Sequence, residues 1–257
     1  MIDLSELSIN IPVKIDSQDR FDNLVILLNY FKQCFICNIT ICECNKEKST
    51  KLLDICEKFK TKYIFLENPN EYILKTKTFN TLCKNTETSI ILNCDTDAFI
   101  PNTQIIECYN LIKNNQFDMC YPYDGHFYNV RLHNTQTVID SGYDFSLYTK
   151  DKLEWWNDHA IGGCVMWNKE KYIESGMENE NFVGWGFEDD ERVTRSRILG
   201  LRIGRVNGSL FHLNHDRSSI NYSMKDITTN NQRLFNEISR MSKDQLKNTI
   251  KNWNWCK

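Results

Sequence analysis

The segment Ser89-Ile-Ile-Leu-Asn-Cys-Asp-Thr-Asp97 decides how this chain is read. Residues 89–93 form a continuous apolar run, the pattern of a strand buried on both faces near the middle of a parallel sheet. Asp95 and Asp97 follow at once. Ligands of open α/β sheets bind beyond the carboxyl ends of the strands, so acids at this point stand where a ligand is expected. Residues two apart on a strand point the same way. Both carboxylates could then meet one hard cation that keeps positions open for phosphate oxygens. An Asp-x-Asp triplet is also common in ordinary loops, and its place at a strand end is what singles it out.

Outward from this strand the pattern alternates. Residues 8–15 read as a strand, 16–20 as a polar turn, 24–31 as an apolar helical run and 35–44 as a second strand, a βαβ start. A helix over 51–59 carries Leu52, Leu53, Ile55, Cys56 and Phe59 at helical spacing. A strand over 63–66 and helices over 72–85 and 102–114 complete a doubly wound α/β half. From residue 117 the sequence turns aromatic and irregular to about 156. A strand-like 162–167 follows, then a short helix ending near Gly176 and another running from Glu188 to Gly200. Residues 202–213 alternate as one strand, and 225–253 read as an exposed C-terminal helix. No repeat or linker divides the chain. We expect a single domain over 1–257, with a nucleotide-binding half at about 8–116, an acceptor and catalytic half at about 117–220 and a helical tail at 221–257.

The totals narrow the function classes. The 257 residues, 41% hydrophobic and 25% charged, are enough for a substantial core. A net charge of −3 without a basic run argues against nucleic acid as a partner. No apolar stretch is long enough to span a bilayer, and the acidic start is unlike a signal peptide. Together with eleven cysteines, that suggests a reducing, cytoplasmic setting, soluble or peripherally attached to a membrane. Cys34, Cys37, Cys42 and Cys44 lie on an alternating strand and are expected in the core rather than around zinc.

Two further stretches carry chemistry. Glu178 to Arg192 holds Gly184-Trp185-Gly186, a bend with a large ring suited to stack on a sugar face, then four acids, Glu188 to Glu191, at a helix start where the dipole favours them. An ordinary capped helix is the plainer explanation of the acids alone. Phe211-His-Leu-Asn-His215 offers two imidazoles, and nitrogen mixed with carboxylate suits Mn²⁺ better than Mg²⁺. His212 and His215 face opposite sides of a regular strand, so both can bind only if the chain turns between them.

In order along the chain, Ile11-Pro-Val-Lys-Ile-Asp-Ser-Gln-Asp-Arg20, Leu92-Asn-Cys-Asp-Thr-Asp97, Gly162-Gly163, residues 179–192 and His212-Leu-Asn-His-Asp-Arg217 resemble the GT-A fold glycosyltransferases. The likeness covers roughly residues 8–220. It is nearest to the β-1,4-galactosyltransferase C-terminal region and related bacterial galactosyl- and N-acetylgalactosaminyltransferases. It implies a Rossmann-like α/β fold with a mixed, mostly parallel sheet flanked by helices. It further implies a UDP-sugar donor, a glycan or glycoconjugate acceptor and Mn²⁺, with Mg²⁺ as the alternative. Asp97 and His215 would ligate the metal, with His212 at a position where the galactosyltransferases carry methionine, and Asp95 at the metal or ribose. Pro12, Val13, Lys14 and Arg20 would line the nucleotide, although the family has Pro-Phe-Arg at that strand. Gly163 would lie under the donor sugar, and Trp185 with Gly186 at the acceptor junction. Asp189 would be the catalytic base and Glu188 a contact to substrate hydroxyls, leaving Asp190 and Glu191 as helix-start charges. A sugar-nucleotide nucleotidyltransferase is the enzymatic rival, but it would want an early glycine-rich phosphate loop. An inactive carbohydrate-binding relative is the other.

Overall fold

The computed structural model describes residues 1–131, 135–144, 153–215 and 225–257. The Asp216-Arg217 end of the histidine motif and parts of the aromatic stretch lie outside the described residues. Strand β1 (Ile2–Val13) starts well before residue 8, because its outer half alternates buried Leu4 and Leu7 with exposed polar residues and looks loop-like in sequence. Helix α1 (Gln18–Cys34) opens on Ser17, whose hydroxyl accepts from the Arg20 N–H, and buries Leu24, Leu27, Leu28 and Phe31 at helical spacing.

The chain then alternates through β2 (Phe35–Asn45), α2 (Thr50–Phe59), β3 (Lys62–Glu67), α3 (Lys75–Lys84), β4 (Ile90–Cys94), β5 (Ala98–Phe99) and α4 (Asn102–Lys113). The second half holds β6 (Met119–Tyr121), β7 (Phe127–Val130), α5 (Thr135–Asp140), β8 (Leu153–Asn157), β9 (Cys164–Asn168) and α6 (Lys169–Glu174). It ends with α7 (Glu188–Leu199), β10 (Ile203–Arg205), β11 (Leu210–Leu213), α8 (Lys225–Ser239) and α9 (Lys243–Lys251).

Among the described residues seven strands form the main sheet in the order β10-β6-β9-β4-β1-β2-β3, flanked by helices. Every ladder is parallel except the two made by β9. The five residues of β4 are buried throughout, as a central strand requires. A smaller sheet, β5-β11-β7-β8, stands at the carboxyl end of β4. One apolar core runs from Leu4 to Leu213 and joins both halves of the chain. Cys42 and Cys44 are fully buried in strand β2, while Cys34 and Cys37 are half-buried, and all are free thiols.

Two expectations change. Residues 202–213 are two strands in different sheets, β10 in the large one and β11 in the small one, because the chain breaks away at Asn207-Gly208. Alternation alone cannot register a change of sheet. Residues 225–253 are two helices, and they are not merely exposed. Ile238, Leu246, Ile250 and Trp253 form a second apolar cluster against Ile198 and Leu199 of α7. No helix among the described residues is long and apolar enough to cross a membrane.

Candidate active site

Asp95, Thr96 and Asp97 are not a continuation of β4. The strand stops at Cys94 and the chain turns, with the Ala98 N–H donating to the Asp95 carbonyl at 3.2 Å. The period-two rule therefore lapses, and the two carboxylates separate. Asp97 is 5% exposed, and its oxygens lie 3.5 Å from His212 Nε2 and 3.3 Å from His215 Nε2. Asp95 points instead to Lys75, whose Nζ is 2.9 Å away.

The small sheet brings the histidines in. Register pairs His212 with Ala98, one residue past Asp97, and the Leu213 N–H donates to the Asp97 carbonyl at 2.9 Å. Strand β11 ends at Leu213, and Asn23 of α1 donates to the carbonyls of Leu213 and Asn214, at 3.0 and 3.3 Å. The chain thus turns between the two histidines, which is the condition for both rings to reach one point. Asp97, His212 and His215 each offer a ligand atom, all within 4.8 Å of one another. The buried Nδ1 of His212 has no hydrogen-bond partner. Arg20 completes this corner, bridging Asp16 at 2.9 Å and Asp97 at 3.5 Å. Burial works against ionising Asp97, but His212, His215 and Arg20 outweigh it and hold the carboxyl well below the usual range. A carboxylate between two imidazoles fits a divalent transition-metal ion such as Mn²⁺ better than Mg²⁺.

The second wall is the start of α7. Gly186, at φ +106°, takes a turn that other residues adopt only with strain, and its N–H donates to Glu188 at 2.8 Å. Phe187 enters the helix in the left-handed region and stacks on Phe235 of α8, with ring centroids 5.7 Å apart. Asn231 of α8 donates to the carbonyls of Val183 and Gly186, at 3.0 Å each. From the other side, Thr76 of α3 donates to the Phe182 carbonyl and Asn80 to that of Glu178. The loop is thus clamped at both ends while Trp185 stands 74% exposed.

Asp189 pairs with Arg192 at 2.6 Å and faces Gly162 so closely that a Cβ there would sit 2.5 Å from its Oδ2. Burial raises the Asp189 carboxyl, yet the charges of Arg192 and Lys75 bring it below the usual range. Glu188 goes the other way: burial, then the charge of Asp189, push it up to about 7. Asp95 is likewise raised by burial, against the pull of Lys75. The Lys75 ammonium sits among Asp95, Asp189 and Glu188. The Gly163 carbonyl accepts from the Asp95 N–H at 2.8 Å, and Gly163 lies against Leu210 and Phe127. Pro12 and Val13 are buried at the end of β1, and the Lys14 ammonium is held by the carbonyls of Asn70 and Glu71.

Residues 146–217 match the family model described as the N-terminal domain of galactosyltransferase. No curated protein sequence matches the chain. Among solved structures, S. aureus TarS 1-349 is similar at a TM-score of 0.58 and 13% identity, over 95% of this chain and 68% of that one. The same protein in complex with UDP-GlcNAc gives 0.60 at 13% identity, over 95% and 70%. The glucosyl-3-phosphoglycerate synthase of Mycobacterium tuberculosis, in complex with Mn²⁺, UDP and phosphoglyceric acid, gives 0.55 at 8% identity, over 89% and 78%.

The chain has the GT-A glycosyltransferase fold.

Within this GT-A frame the structure adds residues that the linear pattern did not single out. Arg192 stands one helical turn after Asp189, a spacing that could have flagged it. Lys75 had no such signal, because it lies in an ordinary helix start far from either acidic run. Asn231 was hidden in the supposed exposed tail. One role is corrected: Glu191 is no helix-start charge but a 1% exposed partner of the fully buried Arg195, at 2.8 Å. Arg195 also donates to the carbonyls of Ser175 and Met177, tying α7 to the loop before the active-site turn. Asp190 remains at the surface.

Proposed function

We propose that the chain is a metal-dependent, inverting glycosyltransferase that moves a hexose from a UDP-sugar to a hydroxyl of a glycan or glycoconjugate. The observation that carries this reading is the pairing, at one end of the sheet, of an ionised Asp189 with the Asp97–His212–His215 group. UDP-GlcNAc in the TarS complex and Mn²⁺ with UDP in the mycobacterial complex support the donor class and a divalent ion. The matched galactosyltransferase segment favours a galactose-type donor.

Asp97, His212 and His215 would hold the ion, which supplies positive charge to offset the departing diphosphate. Asp189 takes the proton of the acceptor hydroxyl as that oxygen bonds to the anomeric carbon and the bond to the diphosphate breaks. Attack from the face opposite the leaving group inverts the centre, giving a β-linked product from an α-linked donor. Arg192 keeps Asp189 ionised and ready to accept the proton. Glu188, raised to about 7, can still donate a hydrogen bond to a sugar hydroxyl near neutrality. Lys75 fixes Asp95 near the donor, and Trp185 offers its exposed ring to a sugar face.

The test is UDP release from a panel of UDP-sugars with and without Mn²⁺, using the wild type and Asp189→Asn. Metal-stimulated release by the wild type that collapses in the variant is expected. No release from any donor, or equal rates in both proteins, overturns the reading.

A further inference from the structure

We propose that the cavity beside α7 binds an anionic group of the acceptor, a phosphate or a carboxylate, between Arg197 and Arg205. This deepens the glycosyltransferase reading and rests on it. The cavity measures about 420 Å³, and its lining includes Asp124, His159, Ile161, Asp190, Arg197 and Arg205.

Its position ties it to the proposed base. The Ile161 carbonyl accepts from Arg192 Nη2 at 2.8 Å, the same guanidinium nitrogen that holds Asp189. The next residue, Gly162, is the one against which Asp189 packs. An acceptor that brings a hydroxyl to Asp189 therefore has the cavity as its neighbour.

Its electrostatics choose the ligand. The Arg205 guanidinium lies over Tyr121 at 4.7 Å and Tyr123 at 5.7 Å, and Nη2 donates to the Ala160 carbonyl at 3.0 Å. Two rings and a carbonyl fix the cation without neutralising it. Tyr123 in turn donates to the Gly162 carbonyl at 2.6 Å, so the support of Arg205 and the wall of Asp189 are one structure. Arg197 stands exposed in the last turn of α7. Among the described residues neither arginine forms an ion pair with a carboxylate. Asp124 turns its carboxylate to the N–H groups of His126 and Gly208 and to the His126 ring at 2.7 Å, and makes no ion pair with the arginines. Asp190 also lines the cavity, on the exposed face of α7. Exposed His159 lies beside Asp158 at 3.6 Å on the same rim.

Arg205, held by its rings and carbonyl, and the exposed Arg197 offer guanidinium donors to a phosphate or carboxylate, and such charge-assisted bonds are stronger than those to neutral hydroxyls. A neutral sugar in the same place would cover the cations without pairing them.

The experiment compares matched pairs as acceptors: glucose with glucose 6-phosphate and with glucuronate, and glycerol with glycerol 3-phosphate. UDP release and melting temperature are read with Mn²⁺ and the accepted UDP-sugar present. The charged member of at least one pair should be preferred by about tenfold or more in kcat/KM, or should alone raise the melting temperature. The phosphate and glucuronate arms tell the two anions apart. Arg197→Glu, on an exposed position, and Arg205→Gln should each reduce that ratio, and melting without ligand checks that both variants fold. A wild type that distinguishes charged from neutral members by neither readout overturns the proposal. So does a ratio unchanged in both variants. Metal-dependent donor turnover that survives such a result leaves the glycosyltransferase reading standing, whereas absent donor turnover fails that reading itself.

Discussion

Asp95-Thr-Asp97 after β4 and Glu188-Asp-Asp-Glu191 at the start of α7 are both runs of adjacent acids, and in both the neighbours part company. Asp97 turns to two imidazoles and Arg20, while Asp95 turns to Lys75. Asp189 meets Arg192, Glu188 takes a backbone N–H and stays high in pKa, Glu191 is buried on Arg195 and Asp190 faces solvent. The same side-chain chemistry becomes a carboxyl held low by an arginine, one pushed up by burial, a buried ion-pair partner and a surface charge within one turn of helix. What differs is only the partner that packing delivers. At the β4 turn the partners come from α1, from α3 and from β11 with the residues just after it, and at α7 from its own next turn, from the preceding loop and from α3. The metal-side corner is therefore assembled over long range, and the α7 corner is partly local.

The largest effect should fall on Asp189, the proposed base. Asp189→Asn keeps the shape but removes the proton acceptor, and transfer should drop by roughly 10²–10⁴-fold in kcat, with melting temperature read alongside because Arg192 then keeps, among the described residues, only Glu178 as a carboxylate partner. Comparable activity in wild type and variant would give the role to another group. Next comes Glu191→Ala, which strands the fully buried Arg195. It should cost about 3–5 kcal/mol of stability, read as a fall in melting temperature or denaturant midpoint. A near-neutral result would return Glu191 to the surface charges. At the other corner, His215→Ala should weaken Mn²⁺ binding by at least the ~10–100-fold typical of losing a supporting group, measured by calorimetry. His212→Ala sharpens the contrast: an equal loss makes it a full ligand, and no loss leaves it a neighbour of Asp97.

The smallest effect separates Glu188 from Asp189 by pH. A carboxyl whose folded pKa is raised binds its proton more tightly in the folded state, so stability falls as pH rises from the ordinary value of 4.5 to about 7 and is level beyond. Without metal or donor, Glu188→Gln should therefore gain melting temperature relative to wild type between pH 5 and 8. A difference that does not vary with pH in this window would show that Glu188 is ionised throughout.

Much of this protein was readable before folding was considered. The buried run of residues 89–93, the βαβ order and the acidic start of α7 are local patterns, set by side-chain periodicity and by the helix dipole. Those features determined the α/β class and marked Asp95, Asp97 and the acids 188–191 as candidates; His212 and His215 came from their own motif, and the choice of Asp189 within its run rested on the family resemblance. Long-range placement was not readable. Alternation did not reveal that residues 202–213 divide between two sheets, or that the C-terminal helices bury Trp253 and send Asn231 to hold the Gly-Trp-Gly loop. Nothing adjacent to Lys75 in sequence marks it as the cation among three acids. A single chain states which groups are available and how often they repeat along an element. Which two groups meet is decided by sheet order and by the packing of distant helices, and at this site the meeting sets the charge, and with it the role, of each acid.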